Sequence, residues 1–160
     1  MNSLESIFIE NGAAFAGILK QRDTYFNVRA GRLKLRETEG KEAELIFYER
    51  DEASSAGMES HYDIFPVPDP SLKDFLAKAL GVKTIVEKVR RLLKLKNARI
   101  HLDEVKGLGS FLEFEVVSGG DDRADTALLE TLKTYAAPFV VKEINESYSD
   151  LLINGEAAKY

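Results

Sequence analysis

Hydrophobic and polar residues alternate along much of this chain, at the spacing that gives a strand one apolar and one polar face. The longest such stretch covers 99–117. Ile100, Leu102 and Val105 are set against Arg99, His101 and Asp103, and a Gly107-Leu108-Gly109 break separates them from a second run. There Leu112, Phe114 and Val116 point one way and Phe111, Glu113 and Glu115 the other. Acids two positions apart on one strand face stand roughly 6–7 Å from each other. Their repulsion calls for a cation between them, either a divalent metal or basic side chains.

A second alternating run, 32–38, sets Leu33 and Leu35 against Arg32, Lys34 and Arg36, so three cations share one face. Strands are also predicted over 13–28, 43–49, 58–67 and 82–95. Turns are signalled at Ala30-Gly31, Glu39-Gly40 and Lys96-Asn97, and 51–57 reads as a loop. Helical spacing of Leu4, Ile7 and Phe8 predicts a helix over 3–11, stopped by Asn11-Gly12. Asp69 as cap, Pro70 at the first helical position and a closing Gly81 frame a helix over 71–80, with Leu72, Phe75, Leu76 and Leu80 on its apolar side. A third helix is predicted over 123–135, capped by Asp121 or Asp122, with Leu128, Leu129 and Leu132 inward, and a last helical turn over 146–152. About seven strands joined mainly by short turns, with three or four helices, indicate an antiparallel α+β domain. Charges on the polar faces point further, to a barrel with a wet lumen, because a solid barrel core excludes Arg, Lys and Glu.

Composition narrows the class. The 160 residues, read as a single domain over 1–160, suffice for a substantial core. A net charge of −5 argues against general nucleic-acid binding, although a local basic cluster can still hold a compact anion. With no cysteine, disulfides and thiolate metal sites are excluded. No apolar run reaches membrane-spanning length and no leader pattern opens the chain, so the expectation is a cytoplasmic protein with no membrane partner.

The polar faces together collect Arg32, Lys34, Arg36, Arg50, Lys88 and Arg90 as cations, and Glu113, Glu115 and Asp103 as acids. Guanidinium groups bind phosphate oxygens through paired donors, and carboxylates hold Mg²⁺ or Mn²⁺ against those oxygens. A passage lined by both suits a polyanion with its metals. An equally simple reading is a solvated sheet face whose charges pair across strands. His61 and His101 are read as exposed or hydrogen-bonded residues, and Tyr25, Phe26, Phe47 and Tyr48 as strand core, with Tyr48 and Arg50 also candidates for the face of the cations. No Ser-His-Asp set, Gly-rich phosphate loop or His-x-x-x-His spacing is present.

Seven segments follow one another in a set order: Gln21-Arg-Asp-Thr-Tyr-Phe26, Gly31-Arg-Leu-Lys-Leu-Arg-Glu37, Glu44-Leu-Ile-Phe-Tyr-Glu-Arg50, Glu87-Lys-Val-Arg90, Ile100-His-Leu-Asp-Glu-Val105, Gly109-Ser-Phe-Leu-Glu-Phe-Glu115 and Ser147-Tyr-Ser-Asp-Leu-Leu152. In that order they resemble the CYTH family, the triphosphate tunnel metalloenzymes that include class IV adenylyl cyclases and thiamine triphosphatases. The resemblance spans about 13–152. It implies an antiparallel eight-stranded tunnel that takes ATP or another organic or inorganic triphosphate with Mg²⁺ or Mn²⁺. Carried over residue by residue, it makes Arg32, Lys34, Arg36, Arg50, Lys88 and Arg90 the triphosphate-binding cations. It makes Glu113 and Glu115, with Asp103 in a less defined role, the metal carboxylates, and Lys142 matches a late tunnel lysine loosely.

One departure weighs on the mechanism. The family's first strand carries Glu-x-Glu-x-Lys, whereas this sequence begins Met-Asn-Ser-Leu-Glu-Ser-Ile-Phe, which aligns with the helix after that strand. Seven strands are thus expected where the family has eight, an N-terminally incomplete domain with weaker metal binding. Sheet edges left unpaired invite homodimerisation. Three readings follow: a metal-dependent cyclase or triphosphatase, a non-catalytic polyphosphate or nucleotide binder, and a dimerising protein without ligand. An Arg36→Ala change is expected to reduce triphosphate affinity with little loss of stability.

Overall fold

The computed structural model describes residues 2–50 and 60–157. The elements run α1 (Asn2–Glu10), β1 (Ala14–Phe26), β2 (Arg32–Thr38), β3 (Ala43–Arg50), β4 (Ser60–Val67), α2 (Ser71–Leu80), β5 (Val82–Leu95), β6 (Ala98–Val105), β7 (Gly109–Val116), α3 (Asp122–Ala136) and α4 (Tyr148–Ala157). The strands form an antiparallel sheet in the order β4-β3-β2-β1-β5-β6-β7. The α+β antiparallel class is as the alternation predicts. Because β4 and β7 end the order, the sheet is not closed by hydrogen bonds among the described residues. The loop expected at 51–57 and the side chain of Arg50 lie outside the described residues.

Chain contacts divide the molecule into two compact units, one of 1–19 with 88–146 and one of 20–87 with 147–160. In the first unit, Leu93 of β5, Ile100 and Leu102 of β6, Phe8 of α1 and Leu128 and Leu132 of α3 form a buried apolar cluster. Leu112, Phe114 and Val116 of β7 pack on it, as their period-two spacing requires. Each such side chain, fully buried, contributes about 1.5–3 kcal/mol. The opposite face of this sheet segment is left with Arg90, His101, Asp103, Glu113 and Glu115. Val105 falls on that face too, because it follows Asp103 by two residues. Asp121 caps α3, its Oδ1 accepting from the backbone N–H groups of Arg123 and Ala124 at 3.1 Å.

In the second unit, Phe26, Leu35 and Val67 form the core, with Leu33, Leu45 and the α2 residues Leu72, Leu76 and Ala77 against them. Phe75, placed by its spacing on the inward side of α2, is exposed, so the helix contacts the sheet over a narrower stripe than its apolar pattern predicts. Asp69 does open the helix: its Oδ1 accepts from the Ser71 N–H at 2.9 Å. The β1–β2 turn depends on Gly31, where φ is +66° and an added Cβ would lie 2.6 Å from the Phe47 ring. Among the described residues no helix is long and apolar enough to cross a membrane.

Candidate functional site

In the second unit the polar face is organised by Asp23. Antiparallel register sets Asp23 opposite Arg36, Tyr25 opposite Lys34, and Tyr48 opposite Arg32. Asp23 is 1% exposed. Arg36 donates to it twice, Nε to Oδ1 and Nη2 to Oδ2, each at 2.7 Å, and Lys34 Nζ donates to Oδ2 at 3.1 Å. One carboxylate thus fixes two of the three predicted cations. Lys34 Nζ also lies 3.4 Å from the Tyr25 hydroxyl and 5.4 Å from the ring centres of both Tyr25 and Tyr48. Burial, then the neighbouring Tyr48 and Asp23, push the Tyr25 phenol well above its ordinary pKa, so it stays protonated and able to donate.

Arg32, the third cation of β2, reaches the start of α4. It donates to the Ser147 hydroxyl, to Ser149 Oγ at 3.3 Å and to Asp150 Oδ2 at 2.8 Å. Ser147 and Asp150 cap the helix reciprocally, the Asp150 N–H donating to Ser147 Oγ at 3.2 Å and the Ser147 N–H to Asp150 Oδ2 at 3.4 Å. Burial alone would raise the Asp150 pKa, but the Arg32 and Ser147 bonds outweigh it and hold the carboxyl below its ordinary value. Beside Arg32 opens a pocket of about 80 Å³ lined by Tyr25, Asn27, Gly31, Arg32, Lys83 and Ser149 among others.

In the first unit the polar face is built around Asp103 and His101. Asp103 is 0% exposed, and Arg90 donates to both its oxygens at 2.7 and 2.6 Å. The Arg90 Nη2 also donates to Glu113 Oε2 at 3.0 Å. Lys88 is buried two residues earlier on β5, and its charge acts on Glu113. His101, directly opposite Glu113 in the ladder, turns one nitrogen toward each glutamate: Nδ1 is 3.5 Å from Glu113 Oε2, and Nε2 is 3.8 Å from Glu115 Oε2. Arg99 adds a 3.3 Å contact to Glu115. Burial alone would raise the Glu113 pKa. His101, Arg90 and Lys88 overcome that and hold the carboxyl at about 2.

Arg32, Lys34 and Arg36 therefore share one face in one unit, and Lys88, Arg90, Asp103, Glu113 and Glu115 share one in the other. Asp103 has both oxygens on Arg90, which makes it the counter-ion that orients that guanidinium. As a seat for a divalent ion, the face offers the half-exposed carboxylates of Glu113 and Glu115 with the imidazole between them. Among the described residues there is no preformed group of three such ligands. An ion there would draw most of its ligands from phosphate oxygens and water, and would compete with Arg90 for Glu113 and with Arg99 for Glu115.

Sequence reasoning missed Asp23, His101, the Asp150 cap and the Tyr25 hydroxyl, while Tyr48 stands on the cations' face as expected. For Asp23 and Tyr25 a signal was available. Gln21, Asp23 and Tyr25 alternate at the strand period, which places them on one face beside the β2 cations.

A sequence profile described as the CYTH domain matches residues 4–146. Among solved structures, the PH1012 protein from Pyrococcus horikoshii matches with TM-score 0.78 at 23% identity, over 94% of this chain and 92% of that one. A Vibrio parahaemolyticus protein described as a candidate adenylate cyclase matches with TM-score 0.71 at 18% identity, over 95% and 91%. HpAC1 from Hippeastrum, described as having a dominant triphosphatase activity, matches with TM-score 0.64 at 14% identity, over 97% and 91%. At these identities the likeness is one of fold. No curated protein matches the sequence.

Proposed function

We propose that this chain, which belongs to the CYTH domain family, binds a nucleotide or other triphosphate together with a divalent metal ion. The family binds triphosphates and is in general metal-dependent. The observation that carries the reading is the β2 row, in which Arg32, Lys34 and Arg36 stand on one face, Arg36 presenting paired donors to Asp23 and Arg32 a single donor to Asp150. A guanidinium held by a carboxylate has the geometry that a phosphate also accepts. Arg50, Lys88 and Arg90 are the remaining proposed phosphate-binding cations. Glu113 and Glu115, with Asp103 behind Arg90, are the carboxylates proposed to face Mg²⁺ or Mn²⁺. When bound, the ion neutralises charge on the phosphate oxygens. The same reading places the protein in the cytoplasm, where nucleoside triphosphates are made and used.

Titration calorimetry with tripolyphosphate and with ATP, each with Mn²⁺, tests the proposal. Saturable binding at one site supports it, and absence of heat with both ligands ends it. Release of phosphate or of cyclic AMP in the same mixtures distinguishes a triphosphatase from a cyclase, and binding without either defines a non-catalytic member. A second reading, self-association through a sheet edge, is favoured by β4, which ends the strand order with Tyr62, Ile64 and Phe65 exposed. Light scattering that gives a monomer removes it.

A further inference from the structure

We propose that Tyr62 is a base-stacking residue: the planar base of a nucleotide lies on its ring, against Ile64, while the phosphate tail runs to Arg32 and Lys34. On the triphosphate reading above, on which this depends, the substrate class is then a nucleoside triphosphate rather than an inorganic polyphosphate.

Register across three strands of the second unit lays this surface out. Arg32 pairs with Tyr48, which pairs with Tyr62; Lys34 pairs with Ile46, which pairs with Ile64; Arg36 pairs with Glu44, which pairs with Pro66. Directly paired residues point to the same face, so each β2 cation looks across one β3 residue to an uncharged side chain on β4. Ile46 and Tyr48 are buried between them, whereas Tyr62 is 53% exposed and Ile64 54%. The face therefore grades from charge on β2 to open apolar surface two strands away. Asp63 and Phe65 alternate to the other side of β4.

The Tyr62 ring is braced for stacking. It rests on the Tyr48 ring, with centroids 5.2 Å apart and planes inclined by 34°. Tyr48 is itself held beside Lys34, whose Nζ lies 5.4 Å from its ring centre. Every nucleobase has a π-face, so a ring of this kind accepts any of them. Two ladder steps put the backbones at Arg32 and Tyr62 about 10 Å apart, an interval that a ribose and its first phosphate bridge. Inorganic tripolyphosphate has no apolar part to lay on β4. A second copy added to the β4 edge would engage Phe65 as well, whereas a base covers Tyr62 and Ile64 and leaves Phe65 open.

The test is calorimetry of the full chain with ATP and with tripolyphosphate, each with Mn²⁺. Tyr62→Ala should weaken ATP binding at least about fivefold, the low end of what a lost base stack costs, and leave tripolyphosphate affinity unchanged. Tyr62→Phe and Phe65→Ala should both keep the parent's ATP affinity, and GTP should follow ATP in every variant. In the parent, magnetisation transferred from the protein must reach the adenine ring protons, a readout that needs no variant to fold. Loss of both ligands alike in Tyr62→Ala, loss of neither, or no transfer to the base overturns the inference while tripolyphosphate binding keeps the triphosphate reading standing. If the parent binds neither ligand, the triphosphate reading fails and this one with it.

Discussion

Arg36 meets Asp23 through two parallel hydrogen bonds of 2.7 Å, one to each carboxylate oxygen, on a residue that is 1% exposed. The pair is a structural anchor within the row proposed to bind phosphate, which corrects the expectation that Arg36→Ala would leave stability nearly intact. A buried carboxylate stripped of its partner costs about 3–5 kcal/mol. Lys34 remains on Asp23, so the predicted loss for Arg36→Ala is smaller, about 2–3 kcal/mol. Urea unfolding checks it, and a loss below about 0.5 kcal/mol, the range of unremarkable surface changes, would contradict the pairing.

Arg32 gives the opposite balance, because its partner Asp150 lies near the surface and the pair is only partly buried. Removing Arg32 should cost about 1 kcal/mol or less of stability, yet reduce tripolyphosphate affinity at least about tenfold. On the proposed reading, Asp150 holds the guanidinium that phosphate would take. Asp150→Asn should therefore tighten binding severalfold, and calorimetry showing weaker binding in that variant would argue against Arg32 as a phosphate ligand.

Much of this arrangement is legible in the sequence. Period-two spacing alone places Arg32, Lys34 and Arg36 on one face and Glu113 and Glu115 on another, and the limits of β2, α2 and β5 coincide with their predicted spans. What the spacing does not show is which residue lies across the ladder. Asp23 acquires its role only when register sets it opposite Arg36, and His101 only when it stands opposite Glu113. The Arg32–Asp150 contact joins residues 118 apart in sequence, and no local pattern reports it. Tyr25 and Tyr48 read as core and are buried, but the spacing does not report that their hydroxyls lie 3.5 Å apart beside a buried lysine.

Acid stability should report on Glu113. Its carboxyl is held down from an ordinary 4.5 to about 2, so its favourable contribution is complete above about pH 4.5 and is lost as pH falls from there toward 2. The side chain is 50% exposed, and solvent screening reduces the effect to on the order of 1 kcal/mol. In Glu113→Gln the pH dependence of the urea midpoint between about pH 4.5 and 2 should flatten accordingly. An unchanged slope would mean that Arg90 and His101 do not stabilise this carboxylate.

Gly31 tests the turn that carries Arg32 into place. With φ at +66° and a would-be Cβ 2.6 Å from the Phe47 ring, Gly31→Ala should destabilise the protein by about 1–3 kcal/mol. Thermal unfolding of the variant at or above the parent's midpoint would contradict the positive-φ turn.

Recognition of a triphosphate by the cations of β2 is the property on which the proposed function turns. Calorimetry with tripolyphosphate and Mn²⁺ on the parent chain and on Arg32→Ala puts that directly. A saturable one-site isotherm in the parent, weakened at least about tenfold in the variant, is the predicted result. An isotherm that is flat in both, or identical in both, would contradict it.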